Sequence, residues 1–123
     1  MELKLEVVPV PVSDIDRAKA FYVDQVGFEE DHDVRPGDSI RVVQLTPPGS
    51  SCSIVLGAGL PAIAMEPGSL RGLHLVVEDI AAARDALAGR GVDLGEIEEQ
   101  GPGIKYAGFS DPDGNSWTLQ EMP

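Results

Sequence analysis

The stretch "VSDIDRAKAFY" (residues 12–22) has an echo in "VEDIAAARDAL" (residues 77–87). Aligning Asp14 with Asp79 sets Ile15, Ala18 and Tyr22 on Ile80, Ala83 and Leu87. Each triplet has the spacing i, i+3, i+7, which places three apolar side chains on one stripe of a helix. Ser13 or Asp14 is the expected N-cap of the first helix, and Asp79 that of the second. Gly27 ends the first, and Gly89 with Gly91 ends the second. Cap, stripe and stop recur together, so the chain reads as two related halves.

Strands surround each helix. "KLEVVPVPV" (4–12) sets Val8, Val10 and Val12 on one face and Val7, Pro9 and Pro11 on the other. "GLHLVV" (72–77) sets Leu73, Leu75 and Val77 against Gly72, His74 and Val76. The prolines argue against a fully paired central position for the first of these strands. Further strands are expected at about 28–34, 40–45 and 52–57, broken at "RPGD" and "TPPGSS". In the second half they are expected at about 92–97, 104–110 and 115–121, broken at "QGPG" and "DPDG". The expected fold is α+β: one domain of two βαβββ modules, about 1–57 and 72–123, joined by a linker over about 58–71. One helix covers one face of each four-stranded sheet, and the other face stays open. Two such faces cupped together enclose a cavity.

This pattern assigns faces to individual residues. In "FSDPDGNSWTLQE" (109–121) Trp117 and Leu119 face the helix, so Ser116, Thr118 and Gln120 face the cavity. In "CSIVLG" (52–57) Cys52, Ile54 and Leu56 face the helix, while Ser53, Val55 and Gly57 face the cavity. A shift of one residue in the last strand would instead turn Trp117 into a stacking platform for a ligand.

Composition narrows the function. The net charge of −12 repels nucleic acid and anionic membrane and attracts a cationic small molecule. Length allows one domain, and no apolar run approaches the roughly 20 residues of a membrane span. The start "MELKLEVV" reads as a strand and not as a signal peptide, so a cytoplasmic location is expected. The single cysteine, Cys52, forms no internal disulfide and reads as a small core residue. No G-x-S-x-G elbow or phosphate-binding loop is present, and "GPGIKY" precedes a strand.

With "VPVSDIDRAKAFYVDQVGF", "GLHLVVEDIAAARDALAGRGV" and "FSDPDGNSWTLQE" in this order, the chain resembles the vicinal oxygen chelate superfamily. That superfamily includes glyoxalase I, bleomycin-resistance proteins and extradiol dioxygenases. The resemblance covers essentially the whole chain. It implies paired βαβββ modules and a homodimer with two cavities shared between modules. Its metalloenzymes draw His, Gln or Glu ligands from four strand positions, which fall here on Val7, Val55, Gly72 and Thr118. None of the four carries an imidazole or carboxylate, which argues against the metal-dependent activities. His74, His32 and Glu121 read as polar or surface residues and not as ligands.

The resemblance is closest in type to metal-free bleomycin-resistance proteins. It implies a small-molecule binding protein that sequesters an antibiotic, with no cofactor and no catalytic residue. Bleomycin, mitomycins and enediynes are antibiotics handled by such relatives, and the acidic charge favours a cationic one. His74, Thr118, Gln120, Ser53 and Tyr106 would supply polar or aromatic contacts. Val7, Val55 and Pro9 would supply apolar wall beside Gly72. The face of Tyr106 depends on its strand boundary. Two rivals stand beside this reading: a glyoxalase-like lyase or isomerase, including proton transfer by His74 and a carboxylate, and a regulatory scaffold with an empty cavity.

Overall fold

In the computed structural model, which describes residues 1–58 and 65–123, the repeat seen in the sequence becomes a repeat of topology. The first module comprises β1 (Val7–Pro9), α1 (Ile15–Ala20), β2 (Glu29–Gly37), β3 (Ile40–Thr46) and β4 (Ser53–Ala58). The second comprises β5 (Leu73–Val76), α2 (Ile80–Gly89), β6 (Glu98–Gly101), β7 (Ile104–Ser110) and β8 (Ser116–Glu121). Strand order is β1-β4-β3-β2 in one sheet and β5-β8-β7-β6 in the other. In each sheet the first strand pairs in parallel with the last, and the remaining pairs are antiparallel. The fold is α+β, built of two similar modules. Residues 59–64 of the expected linker lie outside the described residues.

The helices begin where their caps dictate. Asp14 accepts from the Arg17 amide at 3.0 Å, and Asp79 accepts from the Ala82 amide at 3.1 Å. Gly27 ends the first helix at φ 94°, in the left-handed region open to glycine. After Ala20 this helix widens into a π-helical segment, Phe21–Val26, with the adjacent Phe21 and Tyr22 both buried. The stripe foreseen from Ile15, Ala18 and Tyr22 is thereby joined by a second ring. Phe21 lies 6.3 Å from Phe109 between ring centres, and Tyr22 lies 5.7 Å from Trp117. Side chains from both modules therefore share one core, which also holds Val43, Leu45, Ile54, Leu56, Ile80, Leu87 and Leu119.

Several boundaries differ from the sequence reading. The strand expected at 92–97 is absent, and β6 forms at Glu98–Gly101 instead. Arg84 supplies the reason, because its side chain donates to the carbonyls of Gly95 at 2.7 Å and Leu94 at 3.2 Å. Those carbonyls are thereby occupied by a side chain instead of a strand partner, while Val92 drops into the core. β2 runs on through Pro36 and Gly37, so the turn falls at Asp38–Ser39, later than "RPGD" suggested. This strand is a sheet edge, where the missing proline amide goes unnoticed. β1 is also an edge, and only Val7–Pro9 of the expected 4–12 is strand.

Candidate ligand-binding site

Alternation along the strands turns one face of each sheet to the core and leaves the other open. On β8, Trp117 and Leu119 are buried, and Ser116, Thr118 and Gln120 are half-buried on the opposite face. Trp117 lies beneath the helix, 3% exposed, and is not a stacking platform. Its indole N–H donates to the Tyr22 hydroxyl at 2.9 Å, and that hydroxyl donates to Asp111 at 2.7 Å. Asp111 also accepts from the amides of Asp113 at 3.0 Å and Asn115 at 2.9 Å. Burial pushes the Tyr22 phenol far above its ordinary pKa, and the neighbouring carboxylate adds to the shift, so the hydroxyl stays a donor. This buried network joins the modules beneath the open faces.

The open face of the second module holds two rows. His74, Thr118 and Gly108 lie side by side across β5, β8 and β7. Val76, Gln120, Tyr106 and Glu98 form the next row. The pairing of Tyr106 with Gln120 settles the uncertain face of Tyr106: it lies on the open side. His74 Nδ1 is 2.6 Å from Gln120 Oε1, and the imidazole packs edge-to-face on Tyr106 with ring centres 5.4 Å apart. Gly72, at φ 74°, donates its amide to Ser116 Oγ at 2.8 Å and to the Ser116 carbonyl at 3.0 Å. An open depression of about 600 Å³ lies beside Gly108, bordered by Asp93, Ser110 and Thr118.

On the first module, Val7 pairs with Ser53 and Pro9 with Val55, so these four residues form one patch. Ser53 is buried, with its Oγ 2.6 Å from Thr46 Oγ1 and within 3.4 Å of Gln44 Nε2. Thr46 in turn donates to Asp31. Gln44 and Thr46 escaped the sequence reading, although Val42, Gln44 and Thr46 alternate with Val43 and Leu45 along β3. The nine expected site residues thus fall into two groups on different sheets: Val7, Pro9, Ser53 and Val55, and Gly72, His74, Tyr106, Thr118 and Gln120. Ser53 and His74 border a common hollow of about 200 Å³ between the modules.

Other candidate residues have structural partners or lie apart. Glu121 accepts from the Ile80 amide at 2.9 Å and so holds the start of α2. His32 is exposed on edge strand β2, opposite Gln44. Cys52 is half-buried, outside the core proper.

A profile of the Glyoxalase/Bleomycin resistance protein/Dioxygenase superfamily matches residues 4–119. The chain belongs to this superfamily. Among solved glyoxalase-superfamily structures, TnmS3, an antibiotic binding protein from Streptomyces sp. CB03234, is 39% identical. The alignment covers 99% of this chain and 98% of TnmS3, with a TM-score of 0.85. A glyoxalase/bleomycin resistance protein from the same Streptomyces is 42% identical over 94% of this chain and 98% of its own, with a TM-score of 0.79. A superfamily member from Sphaerobacter thermophilus DSM 20745 is 34% identical over 98% of both chains, with a TM-score of 0.82. No functionally curated protein matches the chain.

The metal associated with glyoxalase-superfamily enzymes does not fit the residues present. Val7, Val55 and Gly72 offer no side-chain donor at the positions concerned, and Thr118 offers only a neutral hydroxyl. A divalent ion needs imidazole or carboxylate donors for charge as well as geometry. Among the described residues, no three His, Cys, Asp or Glu side chains gather in a group able to hold one. No described helix is long and apolar enough to cross a membrane.

Proposed function

We propose that this superfamily member binds a small molecule and sequesters it chemically unchanged, in the cytoplasm and without a metal. The ligand is an antibiotic, with a DNA-damaging, cationic compound favoured by the charge of −12. The observation that carries the reading is the open face of the second module. There His74, Tyr106, Thr118 and Gln120 offer hydrogen-bonding and aromatic groups, while the metal-ligand positions Gly72 and Thr118 carry neither imidazole nor carboxylate. Similarity to TnmS3, an antibiotic binding protein, supports it. Ser53, Val7, Pro9 and Val55 form the facing wall, and Gly72 leaves room beside His74. A homodimer brings that wall from one protomer over the second-module face of its partner.

Calorimetric titration with bleomycin, a mitomycin and an enediyne tests the proposal. The expected outcome is saturable binding of at least one compound, its recovery unmodified, and no change on adding a chelator. His74→Ala and Gln120→Ala should each weaken binding by up to about tenfold, the worth of one neutral hydrogen bond. Multiple turnovers yielding a modified product would favour the lyase or isomerase reading. A specific feature keeps that reading in view: an exposed imidazole held by a neighbouring amide can move a proton. Loss of function on chelation would overturn the metal-free mechanism.

A further inference from the structure

Residues 1–6 precede β1 without belonging to it. Met1, Leu3 and Leu5 alternate with Glu2, Lys4 and Glu6, the period of a strand with one apolar face. Among the described residues, hydrogen bonds tie this segment down only at its end, where the Glu6 carbonyl accepts from the Ser53 amide at 2.9 Å. Leu3 and Leu5 are 87% and 69% exposed. Single exposed leucines are ordinary, but this apolar row starts at the mouth of an apolar hollow. Leu5 borders the hollow of about 200 Å³ between the modules, together with Pro47, Cys52, Leu75 and Trp117. Pro47 and Leu75 also wall a second hollow of about 230 Å³, which continues past Pro48, Val76 and Leu87. Among the described residues, no Asp, Glu, Lys or Arg lines either hollow. A strand advances roughly 7 Å over two residues, so an arm laid along the shared wall carries Leu3 from the first hollow towards the second.

We propose that residues 1–6 are a strap, hinged at Glu6, that folds over the hollows of its own chain. Leu5 then sits in the first hollow and Leu3 in the second, while Glu2, Lys4 and Glu6 stay in water. Burial of two leucines against uncharged walls drives the closure, and the structure shows the strap open. Ser53 and His74 also border the first hollow, so the strap controls entry to that part of the candidate ligand site. What the strap guards rests on the reading of that site as a binding site; the closure itself does not.

Cys52 is the only cysteine and borders the first hollow, so it reports where the strap lies. Leu3→Cys and Lys4→Cys place a second thiol on the apolar and the polar face of the strap. Both positions are exposed, so both variants should fold. With oxidised glutathione, Leu3→Cys should close a disulfide to Cys52 within one chain about fivefold faster than Lys4→Cys or better, each rate being normalised to the same variant in urea. Mass spectrometry reads this as loss of both free thiols at the mass of a single chain. Covalent dimers in its place, equal rates or no disulfide overturn the proposal. In a second measurement, iodoacetamide alkylates Cys52 in the otherwise unaltered chain. Replacing Leu3 and Leu5 together by serine should speed the alkylation about twofold or more, as for a strap closed at least half the time. An unchanged rate counts against closure.

Neither measurement uses a ligand. If the strap closes and no antibiotic binds, the antibiotic reading fails while the strap stands. If an antibiotic binds and no intrachain disulfide forms, the strap fails and the binding reading stands.

Discussion

The Tyr22 hydroxyl ties the first module to two residues of the second. It accepts from Trp117 and donates to Asp111, and the Tyr22 ring stacks on Phe28 with ring centres 5.4 Å apart. Tyr22→Phe keeps the packing and removes the hydroxyl. The buried indole N–H then loses its acceptor and the carboxylate loses a donor. Asp111 keeps the Asp113 amide, the Asn115 amide and the Asn115 side chain as donors, so the orphaned indole N–H dominates, and urea denaturation should show a loss of about 1–3 kcal/mol. Gly68 is a second single-residue constraint. Its φ is +79°, and a Cβ there would collide with the Asp113 carbonyl oxygen. At this scale the sequence was legible in part. Trp117 and Thr118 could be assigned to opposite faces because strand alternation is strict. The partnership of Tyr22 with Asp111 was not legible, because 89 positions separate them and nothing local marks either as the other's partner.

Between elements, an ion network fastens α1 to the β2–β3 hairpin. Asp33 on β2 accepts from Arg41 on β3 at 3.0 and 2.9 Å and from Lys19 on α1 at 2.8 Å. Arg41 also reaches Asp16 on α1 at 2.7 Å, and Lys19 reaches Glu30 at 2.7 Å. The Arg41 guanidinium, followed by the Lys19 ammonium, holds the Asp33 carboxyl well below the ordinary carboxylate range. A carboxyl with a lowered folded pKa stabilises the fold above its unfolded value of about 3.9 and loses that contribution as pH falls towards the folded value. Unfolding free energy should therefore begin to drop near pH 4 and go on dropping in stronger acid. Asp33→Asn should flatten this slope and cost about 1–3 kcal/mol at neutral pH. Two acid titrations monitored by circular dichroism check both expectations. The helices themselves were legible, because a cap, a stripe and a glycine stop are local signals. β6 was not, because the carbonyls of Leu94 and Gly95 go to Arg84, a side chain ten or more residues away.

At the scale of the whole molecule, two sheet faces with half-buried residues stand open, one on each module. A second copy would cover both at once by presenting its first-module face to the second-module face of its partner. Light scattering should accordingly give about twice the chain mass of 13.0 kDa. A monomer at micromolar concentration would confine any ligand to the grooves of a single chain. The modular plan was legible from the two helix motifs, whereas the cover over the open faces was not, since a surface pattern does not name what it meets. The likeness of the two halves also has a limit set by the buried hydroxyl. Aligning the helix caps places Leu87 where the first half has Tyr22. Matching strand pairs, Val8 with Ile54 and Leu73 with Trp117, places Ile54 where the second half has Trp117. The halves have become lock and key to each other. A chain assembled from two copies of the second half would bury an indole donor with no phenol to receive it. A chain assembled from two copies of the first half would bury a phenol with no indole to serve. The symmetry left in the backbone is therefore not matched in the side chains, and either duplication would carry the cost of one unpaired buried polar group, about 1–3 kcal/mol.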